Sequence, residues 1–213
     1  MENLANFIDH TNLGPDAKSK DIEDLCREAI KYDFASVCLN PVYVPIAQSI
    51  LKDSKPIICS VVGFPLGADS AEMKYAEARF LIFNGAQEID MVLNIGALKE
   101  GNTNIIQKEI KKVVDAAEGG IVKVIIETCL LNDNEKVLAS KIVKDCGANF
   151  VKTSTGFSVA GATIEDVILI KKTIGDEVGI KASGGIKTKE EAISFIHAGA
   201  DRIGTSNGVK IIS

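Results

Sequence analysis

Short apolar runs recur along the chain at residues 7–11, 35–39, 57–62, 88–93, 122–127, 150–153, 179–183 and 202–205, and each predicts a buried strand. Between them the spacing turns helical. Ile105, Ile106, Ile110, Val113, Val114 and Ala117 recur at intervals of three and four, as one buried helix face requires, and Val137, Leu138, Ile142 and Cys146 do the same. Start signals agree with this pattern. Asn132 with Glu135, and Thr188 with Glu191, have capping-box spacing, and Asn40-Pro41 puts proline at a first helical position. Gly85-Ala86, Gly147-Ala148 and Gly199-Ala200 each close a helical stretch, where a left-handed glycine ends the helix and leads into a strand.

Eight strand–helix units without a linker or composition break predict an α/β fold: a (β/α)8 TIM barrel forming a single domain over residues 1–213. A doubly wound open sheet also alternates strand and helix, but the first strand is not followed by Gly-x-Gly-x-x-Gly. Period-two parity then sorts the strand residues. Val122, Val124 and Ile126, and likewise Ile89, Met91 and Leu93, form apolar faces that pack under the helices. The mixed faces, with Glu88, Asp90, Lys123 and Glu127, turn toward the barrel axis, and the same rule sends Cys38, Lys152 and Lys181 inward. Lys123 and Glu127 are expected to pair with each other there.

Composition narrows the function classes. The 213 residues are 46% hydrophobic and 25% charged, with net charge −5 and no basic patch, so nucleic acid is not the expected partner. Five cysteines lack Cys-x-x-Cys spacing, giving no disulfide or zinc signature and favouring a reducing, cytoplasmic setting. The N-terminal segment reads as neither a signal nor a transit peptide, and no run of 18 apolar residues suggests a membrane span. The two histidines, His10 and His197, suggest no metal cluster.

The chemistry lies in two misplaced charges. Lys152 and Lys181 interrupt apolar runs, and each is followed by a Ser/Thr/Gly turn near the carboxyl end of its strand, where barrel enzymes build active sites. Lysine is rarely buried without a reason. A second ammonium roughly 4 Å away disfavours protonation of the first by about 4 kcal/mol at an effective dielectric of about 20, which turns an amine into a nucleophile at neutral pH. Lys181 is expected to act on Lys152 in this way, with the inward carboxylate Asp90 beside both. The loops Ser183-Gly184-Gly185 and Gly204-Thr205-Ser206-Asn207 are suited to cradle phosphate with backbone N–H groups. Together these features describe Schiff-base chemistry on a phosphorylated aldehyde. A phosphosugar isomerase or decarboxylase, or a non-catalytic phosphosugar-binding barrel, would share the phosphate cradle.

At these residues the chain resembles the deoxyribose-phosphate aldolase family of class I aldolases. The resemblance runs through Ile8-Asp9-His10-Thr11, Ser36-Val37-Cys38-Leu39-Asn40-Pro41, Val62-Gly63-Phe64-Pro65-Leu66-Gly67 and Glu88-Ile89-Asp90-Met91-Val92. It continues in Lys123-Val124-Ile125-Ile126-Glu127-Thr128, Val151-Lys152-Thr153-Ser154-Thr155-Gly156-Phe157, Lys181-Ala182-Ser183-Gly184-Gly185-Ile186 and Arg202-Ile203-Gly204-Thr205-Ser206. It implies reversible cleavage of 2-deoxy-D-ribose 5-phosphate to D-glyceraldehyde 3-phosphate and acetaldehyde, in deoxyribonucleoside catabolism, with no cofactor or metal. Lys152 would form the Schiff base, Lys181 would be the neighbouring lysine and Asp90 the proton donor and acceptor. Thr155 joins the phosphate loops as a substrate-binding residue. Asp9 would either orient substrate hydroxyls or tie down the first strand, and Cys38 is a core thiol near the site. A homodimer is the assembly the resemblance suggests. Three departures stand out: Phe157 occupies a position where some members carry a lysine, residues 158–161 are poorer in glycine, and the chain ends at Ser213 without the C-terminal tyrosine of some members.

Overall fold

The computed structural model describes residues 3–213; Met1 and Glu2, on which part of the N-terminal reading rests, lie outside the described residues. Eight parallel strands close into one barrel in chain order: β1 (Ile8–Asn12), β2 (Ser36–Leu39), β3 (Ile57–Val62), β4 (Glu88–Val92), β5 (Ile121–Ile125), β6 (Phe150–Lys152), β7 (Gly179–Ser183) and β8 (Arg202–Thr205), with β8 pairing back to β1. The predicted (β/α)8 barrel is the observed fold. Helices α1 (Ser19–Tyr32), α2 (Val44–Leu51) and α3 (Ala71–Phe83) follow the first three strands. The fourth unit holds two, α4 (Ile95–Lys99) and α5 (Thr103–Ala116). Then come α6 (Asp133–Asp145), α7 (Ile164–Ile174), α8 (Lys189–His197) and α9 (Gly208–Ile212). Among the described residues no helix is long and apolar enough to cross a membrane.

Local chemistry explains the boundaries. Asn132 and Glu135 cap α6 reciprocally, as do Thr188 and Glu191 at α8, satisfying amides the first helical turn would leave free. Gly85, Gly147 and Gly199 have φ of 105°, 81° and 114°, the positive range that lets the chain turn from helix to strand. Three predicted edges move. A 3-10 turn over Leu4–Phe7 delays β1 to Ile8, and a 3-10 turn over Pro41–Tyr43 precedes α2, whose own proline occupies its first turn. Strand β5 stops at Ile125 because Glu127 adopts φ 53°, a left-handed conformation that ends pleating.

The outward strand faces, including Ile89, Met91, Val122 and Val124, form the main core with the helices. Inside the barrel the apolar filling is small: Leu13, Cys38, Cys59 and Val61, with Phe64 packed on top. Phe150 fills space at the amino end, where a side chain on Gly179 would strike its ring at 2.4 Å. Most of the interior is ionic. Buried charge is costly to desolvate and persists only when closely paired.

Candidate active site

Strand register brings the key groups together. Lys152 and Lys181 are paired neighbours on β6 and β7, and Asp90 on β4 is paired with Lys123 on β5. From these positions Lys152 Nζ and Lys181 Nζ each reach Asp90 Oδ2 at 2.7 Å, while Lys123 Nζ holds Oδ1 at 3.1 Å. Lys181 also lies 2.6 Å from Asp9 Oδ2. Lys123 lies 2.5 Å from Glu88, and Arg202 bridges Glu88 and Asp9 from below. Asp9, Glu88, Asp90, Lys123 and Lys181 have 0% exposure. Four cations (Lys123, Lys152, Lys181, Arg202) therefore face three carboxylates (Asp9, Glu88, Asp90).

These contacts set the charge states. Burial pushes the Asp90 carboxyl up, but Lys123, Lys152 and Lys181 together hold it well below the usual carboxylate range. Asp9 is likewise depressed, with Lys181, Arg202 and Lys123 outweighing burial. Burial works against the Lys181 ammonium, yet Asp9 and Asp90 raise it well above an ordinary lysine. Asp90 is thus held as an anion and Lys181 as a cation.

Lys152 forms part of the floor of a cavity of about 580 Å³ at the carboxyl end of the barrel. The opposite wall is the predicted pair of loops: Ser183, Gly184 and Gly185 after β7, and Gly204, Thr205 and Ser206 at the end of β8. Gly184 and Gly185 take φ of 87° and 82°. Among the described residues no protein acceptor takes the amides of Gly184, Gly185 or Ser206, and all three residues line the cavity. The hydroxyls of Ser183 and Thr205 are otherwise engaged, donating to the Ser154 and Ile186 carbonyls and fixing the loops. Thr155 also lines the cavity, its hydroxyl donating to Glu127 at 2.5 Å.

Two of the candidate residues lie deeper than the cavity wall, Cys38 as the core thiol expected. Asp9 and Cys38 are fully buried beneath the cavity instead of lining it. Asp9 pairs there with Lys181 and Arg202. Cys38 lies against Asp90, with Sγ 3.9 Å from Oδ2. The expected Lys123–Glu127 pair does not form, because the left-handed turn at Glu127 aims its carboxylate at Thr155, and Lys123 pairs with Glu88 and Asp90 instead. The expected direct pairing of two lysine cations is also modified, since Asp90 stands between them.

Sequence reasoning missed three features. Arg202 and Glu88 complete the ion network; both follow inward parity, but their pairing crosses the barrel. Lys187 lines the cavity two residues beyond Gly185, a lone cation between the glycine pair and the Thr188 cap. Phe157 lines the cavity too and packs edge-on against Phe64, ring centres 5.4 Å apart. Among the described residues one group could hold a metal: donor atoms of Cys38, Cys59 and Asp90 lie within 4.8 Å of one another.

Comparison with known proteins gives a consistent picture. The family profile described as DeoC/LacD family aldolase matches residues 4–213. A deoxyribose-phosphate aldolase of Caldicellulosiruptor saccharolyticus is 57% identical over 213 residues, covering 99% of this chain and 97% of that protein. One from Dictyoglomus turgidum is 55% identical over 210 residues, covering 99% and 96%. Among solved structures, the deoxyribose phosphate aldolase of Aeropyrum pernix, described as a unique tetramer, is 36% identical with a TM-score of 0.92, covering 98% of this chain and 89% of that one.

Proposed function

The chain belongs to the DeoC/LacD family of aldolases, and on that footing we propose that it reversibly cleaves 2-deoxy-D-ribose 5-phosphate to D-glyceraldehyde 3-phosphate and acetaldehyde through a Schiff base on Lys152. The observation that carries this reading is the Asp90 carboxylate shared by Lys152 and Lys181 at 2.7 Å, at the floor of a cavity whose far wall offers unpaired loop amides.

In the cleavage direction the neutral amine of Lys152 adds to the aldehyde carbon of the open-chain sugar, and water leaves to give a protonated imine. Loss of the proton from the C3 hydroxyl then breaks the C2–C3 bond. D-Glyceraldehyde 3-phosphate departs, and the bond's electrons pass to the imine to form an enamine. Protonation of the enamine carbon and hydrolysis release acetaldehyde and restore Lys152. The imine is the electron sink, so the residues have to supply only a neutral amine and a proton path.

Asp90 is the proton acceptor and donor in this scheme. It lies below the cavity surface, so its protons pass through a water above it. Lys181, held cationic on the same oxygen, keeps Asp90 anionic between transfers. Asp9, Arg202, Glu88 and Lys123 position this pair from beneath. The amides of Gly184, Gly185 and Ser206, with the charge of Lys187, bind the phosphate, because charge-assisted donors are the strong ones for an oxyanion. Lys187 supplies a cation on the loop after β7, in a cavity where this chain has Phe157 in place of the lysine of some members.

A cytoplasmic site of action and a homodimer belong to the same reading. They are supported by five cysteines free of disulfides and by the exposed apolar stripe of Met73, Phe80 and Phe83 on α3. The decisive experiment is borohydride trapping with acetaldehyde followed by peptide mass spectrometry, run beside a cleavage assay. A reduced two-carbon adduct on Lys152 with turnover is the expected result. An adduct on another lysine, or turnover undiminished by borohydride and acetaldehyde, would overturn the assignment.

A further inference from the structure

Two thiols inside the barrel have no part in the chemistry above. Cys38 and Cys59 are register partners on β2 and β3, both fully buried, and both face Asp90. The Cys59 thiol donates to Asp90 Oδ1 at 3.1 Å, and Cys38 Sγ lies 3.9 Å from Oδ2. We propose that Cys38, Cys59 and Asp90 form an inhibitory site for a thiophilic divalent cation such as cadmium or zinc.

Geometry supports the donor set. Around a tetrahedral ion with metal–sulfur bonds of about 2.3 Å, ligand atoms lie about 3.7 Å apart. The three donor atoms here already fall within 4.8 Å of one another, about an ångström from that spacing. Two sulfurs and one carboxylate oxygen select a soft ion over magnesium or calcium.

Charge decides whether such an ion could enter a site crowded by lysines. Lys123 Nζ lies 3.5 Å from Cys59 Sγ, and Lys152 and Lys181 stand on the other side of Asp90. A dication added to neutral thiols would be repelled. Binding that releases both thiol protons leaves the net charge of the cluster unchanged: one doubly charged ion enters, two protons leave, and two metal–sulfur bonds replace two sulfur–hydrogen bonds. Leu13 lines the cavity and packs with the same two thiols, which places the cluster next to the route substrate takes.

Occupancy would withdraw Asp90 from Lys152 and Lys181. Binding is independent of the aldolase reading; inhibition rests on Asp90 acting in it. The test uses the whole chain freed of metal, with deoxyribose 5-phosphate turnover recorded before any addition, so that an inactive protein would speak against the aldolase reading and not against this site. On titration with cadmium, the thiolate-to-metal ultraviolet band should saturate at one ion per chain. Turnover should fall in parallel, weakly buffered solution should show two protons released per ion, and a chelator should reverse all three. Cys38→Ser and Cys59→Ser should each lose the band. Should either variant fail to fold, wild-type crystals soaked in cadmium should show an anomalous peak between the two sulfurs. A band kept by both variants, a peak elsewhere, or a saturated band with full turnover would overturn the proposal.

Discussion

Lys152 and Lys181 meet at a single atom, each amine nitrogen lying 2.7 Å from Oδ2 of Asp90. The two nitrogens are therefore within twice that distance of each other, close enough to repel, yet bound to a common anion. Simple repulsion between two cations would drive the lysines apart, and the shared carboxylate holds them in place. Around them four basic side chains, Lys123, Lys152, Lys181 and Arg202, face three carboxylates, Asp9, Glu88 and Asp90. Lys181 is fixed as a cation by Asp9 and Asp90, and Lys152 is the lysine of this cluster that lines the cavity.

Lys181→Leu removes one cation, after which the cluster is balanced with Lys152 protonated. The neutral amine then requires a higher pH. We expect kcat/KM at neutral pH to fall at least about tenfold, roughly 1.4 kcal/mol of lost transition-state stabilisation, and its alkaline optimum to move upward. A profile of unchanged shape would remove Lys181 from the account.

Asp9→Asn probes the support under Lys181. Removing one partner of a buried ion pair typically costs about 3–5 kcal/mol, so the variant should unfold at clearly lower urea. The pH dependence is more diagnostic. The carboxyls of Asp9 and Asp90 are depressed in the folded protein, whereas in the unfolded chain they protonate near pH 4. Their stabilisation is therefore complete above about pH 4 and is lost as pH falls toward the folded values. Wild-type stability should decline below that point, and the variant should decline less steeply. Equal slopes would mean that Asp9 is not held as an anion.

The barrel and the inward set of Asp90, Lys152 and Lys181 were legible because strand alternation, capping boxes and side-chain parity are local properties. Who pairs with whom was not. Arg202 reaches Glu88 from β8 to β4, across the barrel axis, and no local pattern encodes that distance. Glu127 was assigned to Lys123 because parity was extended through a residue that is left-handed and not in the strand. For Asp9 the strand position leaves a substrate contact and a structural tie equally open, because it gives the side of the strand but not the depth. The two cavity-lining loops after β7 and β8 were legible from their glycines. Their hydroxyls were a weaker guide, since Ser183 and Thr205 spend theirs on neighbouring carbonyls.

Gly204 is a position where one carbon should matter. An added Cβ would lie 3.0 Å from Lys181 Cε and 3.0 Å from Ser183 Cβ. Gly204→Ala should push Lys181 off Asp90 while costing about 1–3 kcal/mol in overpacking. We expect a melting temperature lowered by several degrees and a kcat lowered at least about tenfold, with KM changed less. Full kcat in a folded variant would show that Lys181 has room to yield.

Lys187 separates phosphate recognition from catalysis. It is exposed, so it acts as a solvated charge near the loop amides, and its contribution should be modest and weakened by salt. The amides of Gly184, Gly185 and Ser206 remain in Lys187→Ala, and so should most of the affinity. The expected effect is a KM for deoxyribose 5-phosphate raised by up to about tenfold at low salt, or about 1.4 kcal/mol, shrinking as ionic strength rises. Cleavage of unphosphorylated 2-deoxyribose should be unaffected, because that substrate brings no anion to the loop. Measuring both substrates at two salt concentrations isolates the charge. An equal loss on both, independent of salt, would mean that Lys187 shapes the loop after β7 without touching phosphate, and the cradle would then rest on backbone amides alone.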